Sequence, residues 1–154
     1  MNKSAIVPEI VAALRAEFET LRLTSQKTRA AGNDEESKSE GKYDTRSTED
    51  NYLADGLARQ ARAVAEAATA YADFLPPPFP PGAPIDQGAL VELAFPGGET
   101  HWFFIGPAGG GIEITIDATP ITVLTPESPL ARQLIGLTTG QTTESPKAAI
   151  RSVE

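Results

Sequence analysis

The chain has 154 residues, 13 Lys and Arg against 21 Asp and Glu, one His, no Cys and a formal net charge of -8, enough for one ordinary domain or two small ones. The absence of cysteine and the single histidine, His101, exclude disulfide scaffolds, thiolate zinc sites and Cys/His nucleophile pairs, so any metal has to be a hard cation held by carboxylates. The acidic balance argues against tracking along DNA or sequence-specific DNA binding, which draw on clustered Lys and Arg, and favours a protein partner.

At the N-terminus Pro8 and Glu9 interrupt the chain before an apolar run develops, so no signal peptide is expected. No stretch reaches the ~18 consecutive apolar residues of a membrane span. The expectation is a soluble, cytoplasmic protein with no membrane contact.

Residues 1–75 hold one Pro and three Gly, whereas residues 76–154 hold 12 Pro and 10 Gly. Few breakers followed by many predict helices first, then strands and turns. In the first part Val7, Val11, Leu14, Phe18, Leu21, Ser25 and Thr28 alternate at spacings of four and three, the seam of a coiled coil. A second seam runs through Leu53, Leu57, Gln60, Val64, Ala67 and Tyr71. Two seams separated by a polar stretch predict an antiparallel helical hairpin over residues 1–75, with arms ~40 Å long at ~1.5 Å per residue, and Pro8 suits a first helical turn.

The turn of the hairpin falls within residues 32–43, where Asp34, Glu35, Glu36 and Glu40 crowd into seven positions with Lys38 among them. Composition alone allows a solvated connection. It equally allows a Mg²⁺ site completed by a partner, since Mg²⁺ is commonly held by one or two carboxylates plus waters and phosphates.

Residues 76–84 contain six of the 13 prolines and predict an extended, stiff linker. Beyond it, residues 89–93, 101–105, 112–116 and 121–124 read as strands bounded by Gly and Pro, with weaker strands at 141–144 and 148–153. The glycine-rich stretch at 106–111 lacks the Gly-Lys-Ser/Thr ending of a phosphate loop and predicts a hairpin turn. Residues 128–136 carry a complete short-helix signal: Ser128 to cap, Pro129 for the first helical position, Gly136 to stop. The sum is an α+β chain with a helical hairpin followed by a small antiparallel sheet domain, residues 85–154, bearing one short helix.

The run from Ile121 through Ser128, Pro129, Leu130, Ala131, Arg132, Leu134 and Ile135 to Gly136 resembles the C-terminal signature of the bacterial Gre transcription factors, GreA and GreB. There a strand leads into Ser-Pro, an apolar residue, a small residue, Arg and a terminal Gly. That family also sets an acidic-tipped helical hairpin before an FKBP-like sheet domain, so the resemblance extends to nearly the whole chain. It implies a transcription elongation factor that binds RNA polymerase, with the hairpin entering the secondary channel. The tip acids (Asp34, Glu35, Glu36, Glu40) would share a Mg²⁺ ion with the polymerase and promote its cleavage of backtracked RNA.

On this reading the chain has no catalytic residues of its own and meets the RNA 3' end only indirectly. It binds Mg²⁺ only within the complex and is a monomer. Ser128, Pro129 and Arg132 dock on the polymerase rim, and Tyr43 touches the channel wall. Aligned on Tyr43, the family's first tip acid is Glu36, while the second position holds Ser39, with Glu40 next to it. The alternatives are therefore a secondary-channel regulator that does not cleave, or a structural coiled-coil module that pairs between chains. An FKBP-like fold also suggests prolyl isomerase activity, but fold does not imply activity.

His101 beside an aromatic strand reads as a surface or structural residue, and Trp102, Phe103 and Phe104 read as alternating sheet positions.

Overall fold

In the computed structural model, residues 1–36 and 44–154 are described, with the side chains of 34–36 and 44–47 also outside the description. Two long helices open the chain, α1 (Ile6–Glu36) after a 3-10 turn at Lys3–Ala5, and α2 (Asp44–Ala70). Six strands follow: β1 (Leu90–Ala94), β2 (Thr100–Ile105), β3 (Glu113–Ile116), β4 (Thr119–Leu124), β5 (Thr142–Glu144) and β6 (Lys147–Val153), with α3 (Pro129–Leu134) between β4 and β5. The architecture is α+β, as the element pattern predicts. The compact units do not divide at residue 75: one comprises Met1–Ala13 with Ala67–Glu154, the other Leu14–Glu66. The boundary thus falls inside both long helices.

The unit Leu14–Glu66 is an antiparallel helix pair. A cleft is lined by Phe18 and Arg22 of α1 and by Ala61 and Arg62 of α2, while further along α1 the Arg29 guanidinium pairs with Asp55. Between them the Ser25 hydroxyl donates to the Ala54 carbonyl at 2.8 Å. The first seam holds in this unit, with Leu14 and Ser25 buried and Phe18, Leu21 and Thr28 half-buried; Gly32, beyond the seam, is also buried.

The second seam holds at Tyr71, which is buried, and at Leu57, Val64 and Ala67, which are half-buried, but at Leu53 and Gln60 it is displaced by one residue. Ala54 (0% exposed) and Ala61 (5%) are the buried positions, whereas Leu53 is 57% exposed and Gln60 is exposed. The reason is distance: a serine hydroxyl reaches the opposite helix backbone only if the helices approach closely, and alanine is the side chain that allows it. Leucine at those positions would hold them apart.

In the other unit the sheet order is β3-β4-β2-β1-β6-β5. All ladders are antiparallel except β2 with β4, which is parallel, so the sheet is mixed and not purely antiparallel as the sequence suggests. β3 and β4 form a tight hairpin around Asp117 and Ala118, both at positive φ. β4 then lies beside β2, and β3 is pushed to the edge. Residues 106–111 consequently join two strands that are not neighbours, and do not form the expected hairpin turn. This loop is pinned by Tyr71, whose hydroxyl donates to the Ala108 carbonyl at 2.6 Å. A Cβ at Gly106 would overlap that hydroxyl, so glycine is required there by close approach.

Both faces of the sheet are apolar. Val91, Leu93, Ile105 and Ile150 share one face with Ile85, Leu134 and Ala148, and Phe79 of the proline-rich segment packs against this cluster. The segment at 76–84 is therefore part of the unit, tied further by Lys3 Nζ donating to the Pro77 carbonyl at 2.9 Å. On the opposite face Leu90, Phe104, Ile121 and Val123 are cross-strand neighbours with no exposed surface. Phe74 meets Phe104 edge to face at 6.5 Å and Tyr71 meets Phe74 at 5.9 Å. Ile6 and Ile10, at the start of α1, are completely buried in the same unit, each side chain contributing roughly 1.5–3 kcal/mol of burial.

Two predictions follow from this packing. Ala61→Leu is expected to cost ~1–3 kcal/mol by overpacking, and Leu53→Ala less than ~0.5 kcal/mol, measured by denaturant unfolding; the opposite ranking would restore the register read from sequence.

Burial pushes the Tyr71 phenol up from 10.0 to about 12. The folded chain thus holds that proton more tightly than the unfolded one. The Tyr71 contribution is complete below pH 10 and is lost as pH rises toward about 12. Of the three tyrosines, one phenol should ionise only near the upper end of that window, and Tyr71→Phe should remove that late step. Three phenols all ionising near their ordinary value would contradict the burial.

Candidate functional site

The segment after β4 is built by local capping chemistry. Ser128 is extended (φ -65, ψ 145), and its hydroxyl accepts from the Ala131 N–H at 3.3 Å. Pro129, with no N–H to leave unsatisfied, occupies the first helical position. After Leu134 the chain leaves the helix through Gly136 at φ 88, whose N–H donates to the Ile85 carbonyl at 2.8 Å. Ala131 and Leu134 are fully buried and fix which side of α3 faces the core.

At ~100° per residue, positions 129 and 132 lie on the side away from that core. Pro129 and Arg132 are exposed and Ile135 is 36% exposed. Pro129 and Arg132 thus share the outward side of α3, with Ser128 half-buried at its cap. Their roles differ. The Ser128 hydroxyl is engaged in the cap, whereas the Arg132 guanidinium has no ion-pair partner among the described residues. A cation on an apolar-edged, solvent-facing helix suits a carboxylate on a partner protein.

Gln133 is the residue that sequence reasoning missed. Its Oε1 accepts from the backbone N–H of Ser145 at 3.0 Å and of Glu144 at 3.2 Å, and its Nε2 donates to the Ser145 carbonyl. The side chain clamps the β5–β6 turn onto α3. Inside that turn the buried Thr143 hydroxyl donates to the Pro146 carbonyl at 2.6 Å. α3 is thus tied to the β5–β6 turn through one side chain whose partners lie 11 and 12 residues away in sequence.

The second candidate region is the far end of the helix pair. Asp34, Glu35 and Glu36 close α1, whose last turn contains no basic residue. Their side chains, and Glu40 and Tyr43 entirely, lie outside the described residues. Among the described residues no group of three His, Cys, Asp or Glu gathers as a metal site. His101 stands edge-on to Phe95 at 5.4 Å, with Nε2 3.8 Å from Glu99, an exposed surface position as expected. No helix among the described residues is long and apolar enough to cross a membrane.

No family model matches the chain, and no curated protein matches it. Among solved structures, the GreA factor homolog 1 (Gfh1) of Thermus thermophilus is 16% identical, with 94% of each chain covered and a TM-score of 0.37. Gfh1 of Thermus aquaticus is also 16% identical, with 92% of this chain and 91% of that chain covered and a TM-score of 0.36.

The two roles on α3 separate in a stability measurement. Ser128→Ala should lower the unfolding free energy by ~1 kcal/mol through loss of the cap, and Arg132→Ala should leave it within ~0.5 kcal/mol. An equal loss in both variants would mean that Arg132 serves the fold.

Proposed function

We propose that the chain is an RNA polymerase factor of the Gre type, which docks through the outward face of α3 and carries the acidic residues 34–40 into the polymerase secondary channel. The observation that carries this reading is the run of Asp34, Glu35, Glu36 and Glu40 in the sequence between two long helices, α1 (Ile6–Glu36) and α2 (Asp44–Ala70). Carboxylates this close in sequence repel one another, and a cation supplied from outside would relieve them. The resemblance of residues 121–136 to the Gre signature supplies the partner.

The donors available are hard carboxylate oxygens, which fit Mg²⁺; the proposed ligands are Glu36 and Glu40 with Asp34 and Glu35 beside them, shared with the polymerase. When bound, such an ion activates water and steadies charge on a phosphate. The chain's own part is to present the carboxylates on a helix pair held by the Ser25 hydrogen bond and the Arg29–Asp55 ion pair. On this reading the chain acts as a monomer, with Ala54 and Ala61 buried within its own helix pair.

Ser39 at the family's second acid position favours one further reading, a factor that occupies the channel without stimulating cleavage. The test is a stalled, backtracked transcription complex supplied with Mg²⁺ and the purified protein. Shortened RNA above the intrinsic rate, lost on combined Asp34→Ala, Glu35→Ala, Glu36→Ala and Glu40→Ala with polymerase binding intact, is the expected result. Binding without shortening identifies the non-cleaving regulator, and failure to co-purify with core polymerase overturns both readings. Arg132→Ala is expected to weaken polymerase binding about tenfold, the ~1.4 kcal/mol of one well-placed charged contact.

A further inference from the structure

Beside the start of α1 lies a groove of about 590 Å³, within the range of roughly 300–1,000 Å³ typical of small-molecule sites. Its walls are Val7 and Pro8 from α1, Ala72 and Leu75 just past α2, and Pro76 and Pro78 of the proline-rich segment. All belong to the unit that contains the sheet. The proline wall has no N–H groups to offer, and Leu75 stands at the rim with 87% of its surface exposed. The other polar side chains of the lining are already engaged. The Tyr71 hydroxyl donates to Ala108 at 2.6 Å and the Ser4 hydroxyl to Asn2 Oδ1 at 2.6 Å.

One charged residue lines this groove in a chain of net charge -8: Lys3. Its ammonium is held in place by the Pro77 carbonyl at 2.9 Å and the Glu154 backbone oxygen at 2.7 Å, and lies 4.7 Å from the Phe79 ring centre. Two acceptors leave one of its three protons uncommitted. The Glu154 side chain is directed to the Met1 amino group at 4.0 Å. Burial lowers the Lys3 pKa, with the Glu154 charge acting in the opposite sense. A preplaced, partly desolvated cation at an otherwise apolar groove is complementary to a single negative charge on an apolar body.

We propose that this groove binds a small anionic amphiphile, a carboxylate on an aliphatic or aromatic body, with the head group at Lys3 and the body along Val7, Ala72, Leu75 and the Pro76–Pro78 wall. This site is independent of the polymerase reading and requires no partner protein.

The test uses the full chain, with 8-anilinonaphthalene-1-sulfonate as fluorescent reporter and decanoate and decan-1-ol as competitors. Decanoate is expected to displace the reporter saturably from one site, at least about tenfold more tightly than the uncharged alcohol, reflecting a charge-assisted hydrogen bond. Lys3→Met should abolish that preference while leaving the alcohol unaffected, and Lys3→Arg should retain it. Ala72→Trp, which fills the groove, should abolish displacement by both. Equal affinity for the two competitors, non-saturable uptake, an unchanged decanoate preference in Lys3→Met, or binding retained in Ala72→Trp would overturn the proposal. Circular dichroism of each variant shows that a loss is not unfolding, and the Lys3→Arg and Ala72→Trp arms still decide if Lys3→Met fails to fold.

Discussion

A sheet that is apolar on both faces has to be covered twice, and that requirement organises the unit around it. α3 and Phe79 complete the face of Val91, Leu93, Ile105 and Ile150. Phe74, locked edge-on to Phe104, serves the face of Leu90, Ile121 and Val123. The start of α1, the residues after α2 and the proline-rich segment therefore belong to the sheet and are not spacers. The groove at Lys3 forms where these three pieces of chain meet.

The helix pair obeys a different constraint. Its contact is set by backbone approach, through Ser25 on the Ala54 carbonyl and the small residues Gly32, Ala54 and Ala61. A hydrophobicity pattern favours the larger Leu53 over Ala54 for the seam, which is why the heptad spacing was legible while its phase at Leu53 and Gln60 was not. One residue of phase turns a helix face by ~100°, enough to leave Leu53 and Tyr52 in solvent at 57% and 73% exposure.

What was legible elsewhere divides along the same line between local and long-range physics. The α3 helix could be read to its ends because Ser128, Pro129 and Gly136 act on neighbours within a few residues. The first four strands were marked by glycine and proline punctuation, and the last two more weakly. The parallel β2–β4 ladder could not be read, since it depends on where the β3–β4 hairpin docks. Gln133 and Tyr71 were missed as structural clamps for the same reason: their acceptors, Ser145 and Ala108, lie 12 and 37 residues away. The only available signals were a polar residue within a short capped helix and an aromatic residue just beyond a long one.

The functional account joins these parts through charge placement. On α3 the exposed Arg132 has no ion-pair partner among the described residues, and in the sequence four acids crowd between positions 34 and 40. The proposed polymerase partner would supply the opposite charge to both. The most direct measurement is site-specific photocrosslinking with a benzophenone amino acid at position 36 in the complex with core RNA polymerase. The account predicts crosslinks to the polymerase subunit that lines the secondary channel near its catalytic Mg²⁺. Crosslinks confined to the polymerase exterior, or none from a chain that remains folded, would contradict it.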